Sequence, residues 1–323
     1  MNFISIPPNG SSWQEPLIYS FASEDGSTTD ILVEIRDDDL GELMATKRLY
    51  GVATAQIDIA PYLRSLCNIK IDIPESNAIV ESETTKRVTV VVNGTESPSL
   101  IFFARALDTT KYTMLSSLSG IERVERGNMV LFSLFAPTRL SVVLTIYTPS
   151  SRAQQTMQWT GSNRIVDIVV HTAKIVQDAT SLMINIYGDG LVVKSIKCDI
   201  VERGEESRQL LWRNSQGGVE SYCFPHCRPI AHSVEVESLA TQQGDIVELR
   251  DAVSRLRLLS ALETREYLDQ LSEMILSPYI YECVSDKLHP VSLERRAIEY
   301  DSQGRLRQLA LEITQEWKGG GQL

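Results

Sequence analysis

From Leu17 to Asp199, short runs rich in Ile, Val, Tyr, Phe and Thr recur at a spacing of about 8–12 residues, each closed by turn-forming residues. A strand rhythm that regular leaves little room for helices, so this part of the chain reads as antiparallel sheet. The first set of runs covers 17–21, 31–36, 44–50, 52–59, 87–92 and 100–106. Between them lie Glu24-Asp25-Gly26-Ser27, the acidic stretch 37–41 and Asn93-Gly94, all suited to tight turns. Pro61 can open one short helical turn over 61–66. The second set covers 130–135, 141–147, 156–159, 165–170, 182–187 and 191–199, and Gly188-Asp189-Gly190 joins its last two members as a hairpin. The spacing predicts a β-sandwich domain over residues 1–108 and a second over 109–203.

After residue 206 the pattern changes. Runs 210–214 and 219–224 flank Ser215-Gln216-Gly217-Gly218 as a hairpin, and 233–237 gives another strand. Ile246, Leu249, Val253 and Leu256 fit one helical face, so 245–259 is expected as helix, although short stretches of it tolerate a strand. Ser260 and Glu263 have capping-box spacing. Tyr267, Leu268, Leu271, Met274 and Ile275 then follow at helical intervals, predicting an amphipathic helix over 261–276 that packs on the closing sheet and stops at Pro278. Strands are expected at 279–284, 290–298 and 306–317; in the last, Leu309, Leu311, Ile313 and Trp317 alternate with polar neighbours. Residues 206–317 thus read as an α+β domain and 318–323 as a flexible tail. The predicted class is mainly β: two antiparallel β-sandwich-like domains followed by an α+β domain with at least one packed helix.

Charge and cysteine usage narrow the function classes. The 323 residues include 31 basic and 42 acidic side chains, a net charge of −11. Such a surface repels phosphate backbones, which argues against general nucleic-acid binding. No apolar run approaches the roughly 20 residues that span a bilayer. The first basic residue is Arg36, so the opening stretch lacks the charged start of a secretory signal, and a cytoplasmic origin is expected. Cys67, Cys198, Cys223, Cys227 and Cys283 are odd in number and scattered, which favours reduced, buried thiols over a disulfide framework.

Reaction chemistry is hard to find. The four histidines, His171, His226, His232 and His289, fall in no catalytic motif, and neither phosphate-binding loops nor nucleophile elbows occur. Cys223, His226 and Cys227 are suitable zinc ligands, yet a structural site needs a fourth, which only Cys283, His232 or His289 could bring. The plainer reading is a buried cysteine at a strand end followed by a proline turn. The acidic run from Asp37 to Glu42 could hold calcium, but it departs from the twelve-residue calcium loop and reads more simply as a solvated turn. Trp13, Trp159, Trp212 and Trp317 are conceivable sugar platforms; Trp212 and Trp317 alternate with apolar neighbours as core residues do, leaving Trp13 the freer candidate. No catalytic, cofactor-binding or metal-ligating residue is assigned, and no cofactor is expected.

Three stretches carry a resemblance. Leu211-Trp212-Arg213-Asn214-Ser215-Gln216-Gly217-Gly218-Val219-Glu220-Ser221-Tyr222-Cys223-Phe224 resembles a hairpin of structural proteins encoded by phages and prophages of gut Bacteroidetes. Leu276-Ser277-Pro278-Tyr279-Ile280-Tyr281, continuing to His289-Pro290-Val291-Ser292-Leu293, resembles the helix end and strand pair that follow it. Ile57-Asp58-Ile59-Ala60-Pro61-Tyr62-Leu63-Arg64 resembles a segment of their leading β domain. The resemblance implies a non-enzymatic structural protein of a phage tail or baseplate, distal-tail-like, residing in the virion as a homo-oligomer among other virion proteins. This chain departs from a distal tail protein in having two leading β domains. A β-sandwich protein that binds a glycan or other receptor is the alternative, and a hydrolase with carboxylates brought together only by the fold is the third reading.

Overall fold

The computed structural model describes residues 1–66, 71, 73–116, 123–241, 244–284, 287–294, 299–303 and 306–318; for 66, 234–241, 244–252, 299–303 and 316–318 it describes the backbone only. The expected tail over 319–323 and Cys67 lie outside these residues. The chain is mainly β, as two sandwiches followed by a helix-bearing sheet.

In the first sandwich, Asn2–Ser5, Ile18–Ala22 and Thr54–Asp58 form one sheet. Glu42–Val52, Thr29–Asp37 and Lys86–Val92 form the other, with Thr95–Glu96 and Leu100–Phe102 also paired to Lys86–Val92. Alternation along Thr29–Asp37 turns Ile31, Val33 and Ile35 into a core shared with Tyr19, Phe21 and Ile57. The short helix expected near Pro61 is Ala60–Leu66; Asp58 Oδ1 accepts from the Ala60 amide at 3.0 Å and Leu63 is buried.

The second sandwich stacks a four-stranded sheet on a five-stranded one. The first orders Thr113–Met114, Met129–Ala136, Arg164–His171 and Ala78–Glu81; the second orders Arg123–Glu125, Leu191–Val201, Ser181–Gly188, Leu140–Tyr147 and Arg152–Trp159. Ala78–Glu81, from within residues 1–108, therefore serves this sandwich, pairing with Arg164–His171. Every residue of Met129–Ala136 is buried. Val130, Phe132, Leu134 and Ala136 enter the sandwich core, whereas Met129 and Leu131 meet Leu211, Val219 and Cys283 of the third unit. Phe135 meets Ile101 and Phe103 of the first sandwich, with the Phe103 and Phe135 rings edge to face at 5.2 Å. This strand is continuous in apolar residues because both its faces are covered.

The third unit is one eight-stranded sheet in which Lys287–Leu293 links Ile280–Val284 to Leu306–Lys318. Its core joins Leu210, Trp212 and Phe224 with Leu256, Leu258, Leu309, Leu311 and Ile313. The helix runs over Arg265–Leu271 and continues as a 3-10 turn, Ser272–Leu276. Leu268, Leu271 and Met274 are buried against the closing strand as expected, each contributing roughly 1.5–3 kcal/mol by removal from water; Tyr267 and Ile275 are half-buried. The helix begins later than its capping box suggests. Thr264 is the N-cap, its side chain accepting from the Tyr267 amide, while Ser260 Oγ instead accepts from the Leu309 amide at 2.8 Å.

The expected helix over 245–259 is a strand, Gly244–Leu259. Its residues pair with His226–Thr241 on one side and, from Asp251 onward, with Leu306–Lys318 on the other. Ser254, Leu256 and Leu258 are buried at a period of two, so sheet pairing overrides a helical spacing carried by only a few apolar positions.

Candidate functional site

The tip of the Arg208–Arg213/Val219–Phe224 hairpin plugs the junction of all three units. Gly217 has φ +85 and Asn214 closes the turn, its Oδ1 accepting from the Gln216 and Gly218 amides at 3.0 and 2.9 Å. Asn214 Nδ2 donates to the Leu115 carbonyl at 2.6 Å and to Glu220 Oε1 at 2.8 Å. Thr84 Oγ1 donates to the Gly217 carbonyl at 3.4 Å. Ser133 Oγ accepts from the Val219 amide at 2.7 Å and donates to Asp167, its cross-strand partner, and Asp167 pairs with Arg213. Sequence reasoning missed this network. Its signal was a lone polar residue, Ser133 or Asp167, within each of two otherwise apolar runs.

Between the second sandwich and the third unit lies a cleft of about 530 Å³ whose walls include Glu125, Asn128, Tyr222, Cys223 and Glu263. Tyr222 donates its hydroxyl to Glu263 Oε1 at 3.1 Å and accepts from the Ala261 amide at 3.0 Å. Burial and then the Glu263 charge push its phenol above the ordinary range. Asn128 Nδ2 donates to Cys223 Sγ at 3.1 Å, and burial followed by the Glu125 carboxylate pushes that thiol up as well. Both groups stay protonated at neutral pH, so neither is a ready nucleophile or base.

The three zinc candidates diverge. Cys223 faces Asn128, Cys227 is buried in the core beside the helix, and His226 between them is exposed. Among the described residues no group of three or more His, Cys, Asp or Glu converges as a metal site would. His232 Nδ1 lies 3.0 Å from Ser254 Oγ, but the two are ladder partners and line neither cleft described here. His171 Nε2 sits 2.8 Å from the Pro74 carbonyl.

The acidic run is tied down rather than simply solvated. Asp37 Oδ1 accepts from the Asp39 and Leu40 amides and Oδ2 faces Lys86 Nζ at 3.3 Å; Asp38 accepts from Thr89 and Ser99. Asp39 pairs with Arg164, bridging the two sandwiches. Trp13 is buried at 6% exposure, against the expectation that it is the freest of the four tryptophans; Trp159 and Trp212 are buried too, and the Trp317 side chain lies outside the described ones.

A long hairpin, His226–Thr241 with Gly244–Leu259, ends the third unit's sheet. Among the described residues, Leu306–Lys318 pairs with the long hairpin as far as Asp251, and 244–250 is paired with 236–241 alone. The ribbon reaches roughly 20 Å at ~3.4 Å per residue. His226–Thr241 forms one edge of the sheet, without a partner on its outer side among the described residues. Near the base that edge is interrupted by Pro229 and a bulge that leaves Ile230 half exposed; towards the tip the proline is gone.

Among the described residues no helix is long and apolar enough to cross a membrane. No family model matches the chain and no curated protein matches it. Among solved structures it is similar to CBD12 from CALX1.2 at 9% identity and TM-score 0.17, covering 54% of this chain and 73% of that one. The CupB2 chaperone of Pseudomonas aeruginosa follows at 11% and 0.19, covering 61% and 98%. Dpr2 Ig1-Ig2, solved in complex with DIP-Theta Ig1-Ig3, is similar at 10% and 0.20, covering 97% and 88%. At scores this low the likenesses carry no argument.

Proposed function

We propose that this chain is a non-enzymatic structural component of a phage tail or baseplate, carried in the virion and assembled as a homo-oligomer in contact with other virion proteins. The observation that carries the reading is the long two-stranded hairpin at the end of the third unit's sheet, in a body whose three units are locked together. Its outer backbone edge, without a partner strand among the described residues, offers amide and carbonyl groups to a strand from another copy, and such a contact is heterologous, closing into a ring when the rotation per subunit suits. The motif resemblance in 211–224 and 276–293 supports the same lineage. A glycan- or receptor-binding β-sandwich protein is the competing reading, and it requires no neighbour.

Light scattering on the full chain tests the proposal. The expected mass is a multiple of the 36.1 kDa chain. Replacing 235–251 by an Asn-Gly turn, which keeps Val234 and Ala252 as the closing pair, should leave a folded monomer with an unchanged near-ultraviolet circular dichroism spectrum. A wild type that stays monomeric at high concentration, or a shortened chain that assembles equally well, overturns the reading.

A further inference from the structure

A sheet edge is a ready place for one β protein to meet another, because there backbone amides and carbonyls lack a neighbouring strand. Among the described residues two long edges are open: His226–Thr241, with 16 residues, and Glu42–Val52, with 11. The other outer strands are covered or short. Arg152–Trp159 is held against 77–81, where Asn77 Nδ2 donates to Gln155 Oε1 and Trp159 Nε1 donates to Glu81 Oε1, each at 3.0 Å. Val219–Phe224 is tied to the second sandwich, the Val219 amide donating to Ser133 Oγ and its carbonyl accepting from Ser116 Oγ. The remaining outer strands have five residues or fewer.

The two open edges differ in shape and in charge. On His226–Thr241 the bulge near the base places its extra residue, Ile230, in the edge strand itself. The second irregularity, between Glu237 and Ser238, places its extra residue in the partner strand instead. The edge is therefore regular from Ala231 to Thr241, and the sequence there holds Glu235 and Glu237 but no lysine or arginine.

Glu42–Val52 carries the opposite charge at its centre. Its pairing with Thr29–Asp37 steps over Met44 at one end and shifts again between Leu49 and Val52 at the other. The regular stretch is 45–49, and Lys47 and Arg48 within it are exposed. Leu43 and Tyr50, which flank that stretch, are 56% and 70% exposed, so apolar surface lies beside open backbone.

We infer that residues 231–241 of one copy add as a strand to the Glu42–Val52 edge of the next copy, pairing over 45–49. This rests on the assembly reading above and names the surface that receives the hairpin. Opposite charges facing across a ladder stabilise it, and like charges destabilise it. Full antiparallel overlap of two 231–241 edges sets Glu235 against Glu237, and of two Glu42–Val52 edges sets Lys47 against its own copy. One edge of each kind sets acids against bases. A self-pair slid so that Arg228 meets Glu237 runs through Pro229 and the bulge at Ile230, where the edge is broken. Charge therefore selects the unlike pair, and a contact between unlike surfaces is the heterologous kind that builds a ring.

Sedimentation velocity of the full chain over a concentration series tests the inference. Wild type should assemble, whereas Lys47→Glu/Arg48→Glu and Glu235→Lys/Glu237→Lys should each weaken association on the order of tenfold, the loss of two cross-strand charge pairs. A chain with all four changes restores opposite charges and should assemble as wild type does, which separates a lost contact from a lost fold. Arg152→Glu/Lys174→Glu, at exposed positions of the second sandwich, alters net charge as much as the first variant and should leave association unchanged. A monomeric wild type overturns this inference together with the assembly reading. An assembling wild type overturns the inference alone if either reversed pair associates equally well, if the fourfold variant stays dissociated, or if the control is weakened as much as Lys47→Glu/Arg48→Glu.

Discussion

Asp167 and Arg213 meet at 3.1 Å with side-chain exposures of 4% and 3%, an ion pair sealed between the inner sheet of the second sandwich and the hairpin of the third unit. Two ions held that far from water are tolerable only when further hydrogen bonds satisfy them. Ser133 Oγ donates to Asp167, and Arg213 Nη1 donates to the Gly217 carbonyl at 3.2 Å. The pair therefore specifies how the units dock.

Removing one partner strands the other. Arg213→Met should cost about 3–5 kcal/mol of unfolding free energy because Asp167 is left buried and uncompensated. The double variant Arg213→Met/Asp167→Leu should regain much of that loss. Urea denaturation at pH 7 reads both; a double variant no more stable than the single one contradicts the account.

The docking is also close at the backbone. A Cβ on Gly218 would stand 2.9 Å from Leu115 Cβ and 3.0 Å from the Leu115 carbonyl oxygen, and main chain cannot swing aside as a long side chain can. Gly218→Ala should therefore lift the hairpin from the second sandwich and cost about 1–3 kcal/mol. The control is Gly190→Ala, whose Cβ meets nothing within 4 Å; it should show only the smaller strain of its φ of +84, on the order of 1 kcal/mol. Equal losses in the two variants would mean that close approach is not the cause.

Much of the β architecture was legible, because alternation and turn chemistry are local. Ile31, Val33 and Ile35 announced their face, as did Leu309, Leu311 and Ile313. What the sequence hid is set by pairing over long separations. Ala78–Glu81 joins the second sandwich through Arg164–His171, and nothing in its four residues names that partner. The strand Gly244–Leu259 looked helical because Ile246, Leu249, Val253 and Leu256 happen to fall at helical intervals, while its inward set includes Ser254, which no hydrophobic pattern reveals. Trp13 looked free beside Gln14, Glu15 and Pro16, yet packs into the first core with Leu17.

Glu282 supplies a prediction in pH. It is 1% exposed; Oε1 meets Arg208 Nε at 3.0 Å, and Oε2 has no hydrogen-bond partner among the described residues. Burial pushes its carboxyl above the usual range, an effect that Arg208 and Arg203 only partly oppose. A carboxyl with a raised folded pKa keeps its proton longer in the folded state than in the unfolded one. Its favourable contribution is therefore complete below the unfolded value, about 4.3, and is lost as pH rises through the raised folded value. Glu282→Gln keeps an acceptor for Arg208 and removes the ionisation. The stability of this variant relative to wild type should thus climb as pH increases from 4 and level off once the wild-type carboxyl is fully charged. Urea midpoints at intervals from pH 4 to 8 measure the difference, in which the other titrating groups cancel; a relative stability that falls with pH would show that Arg208, rather than burial, governs this side chain.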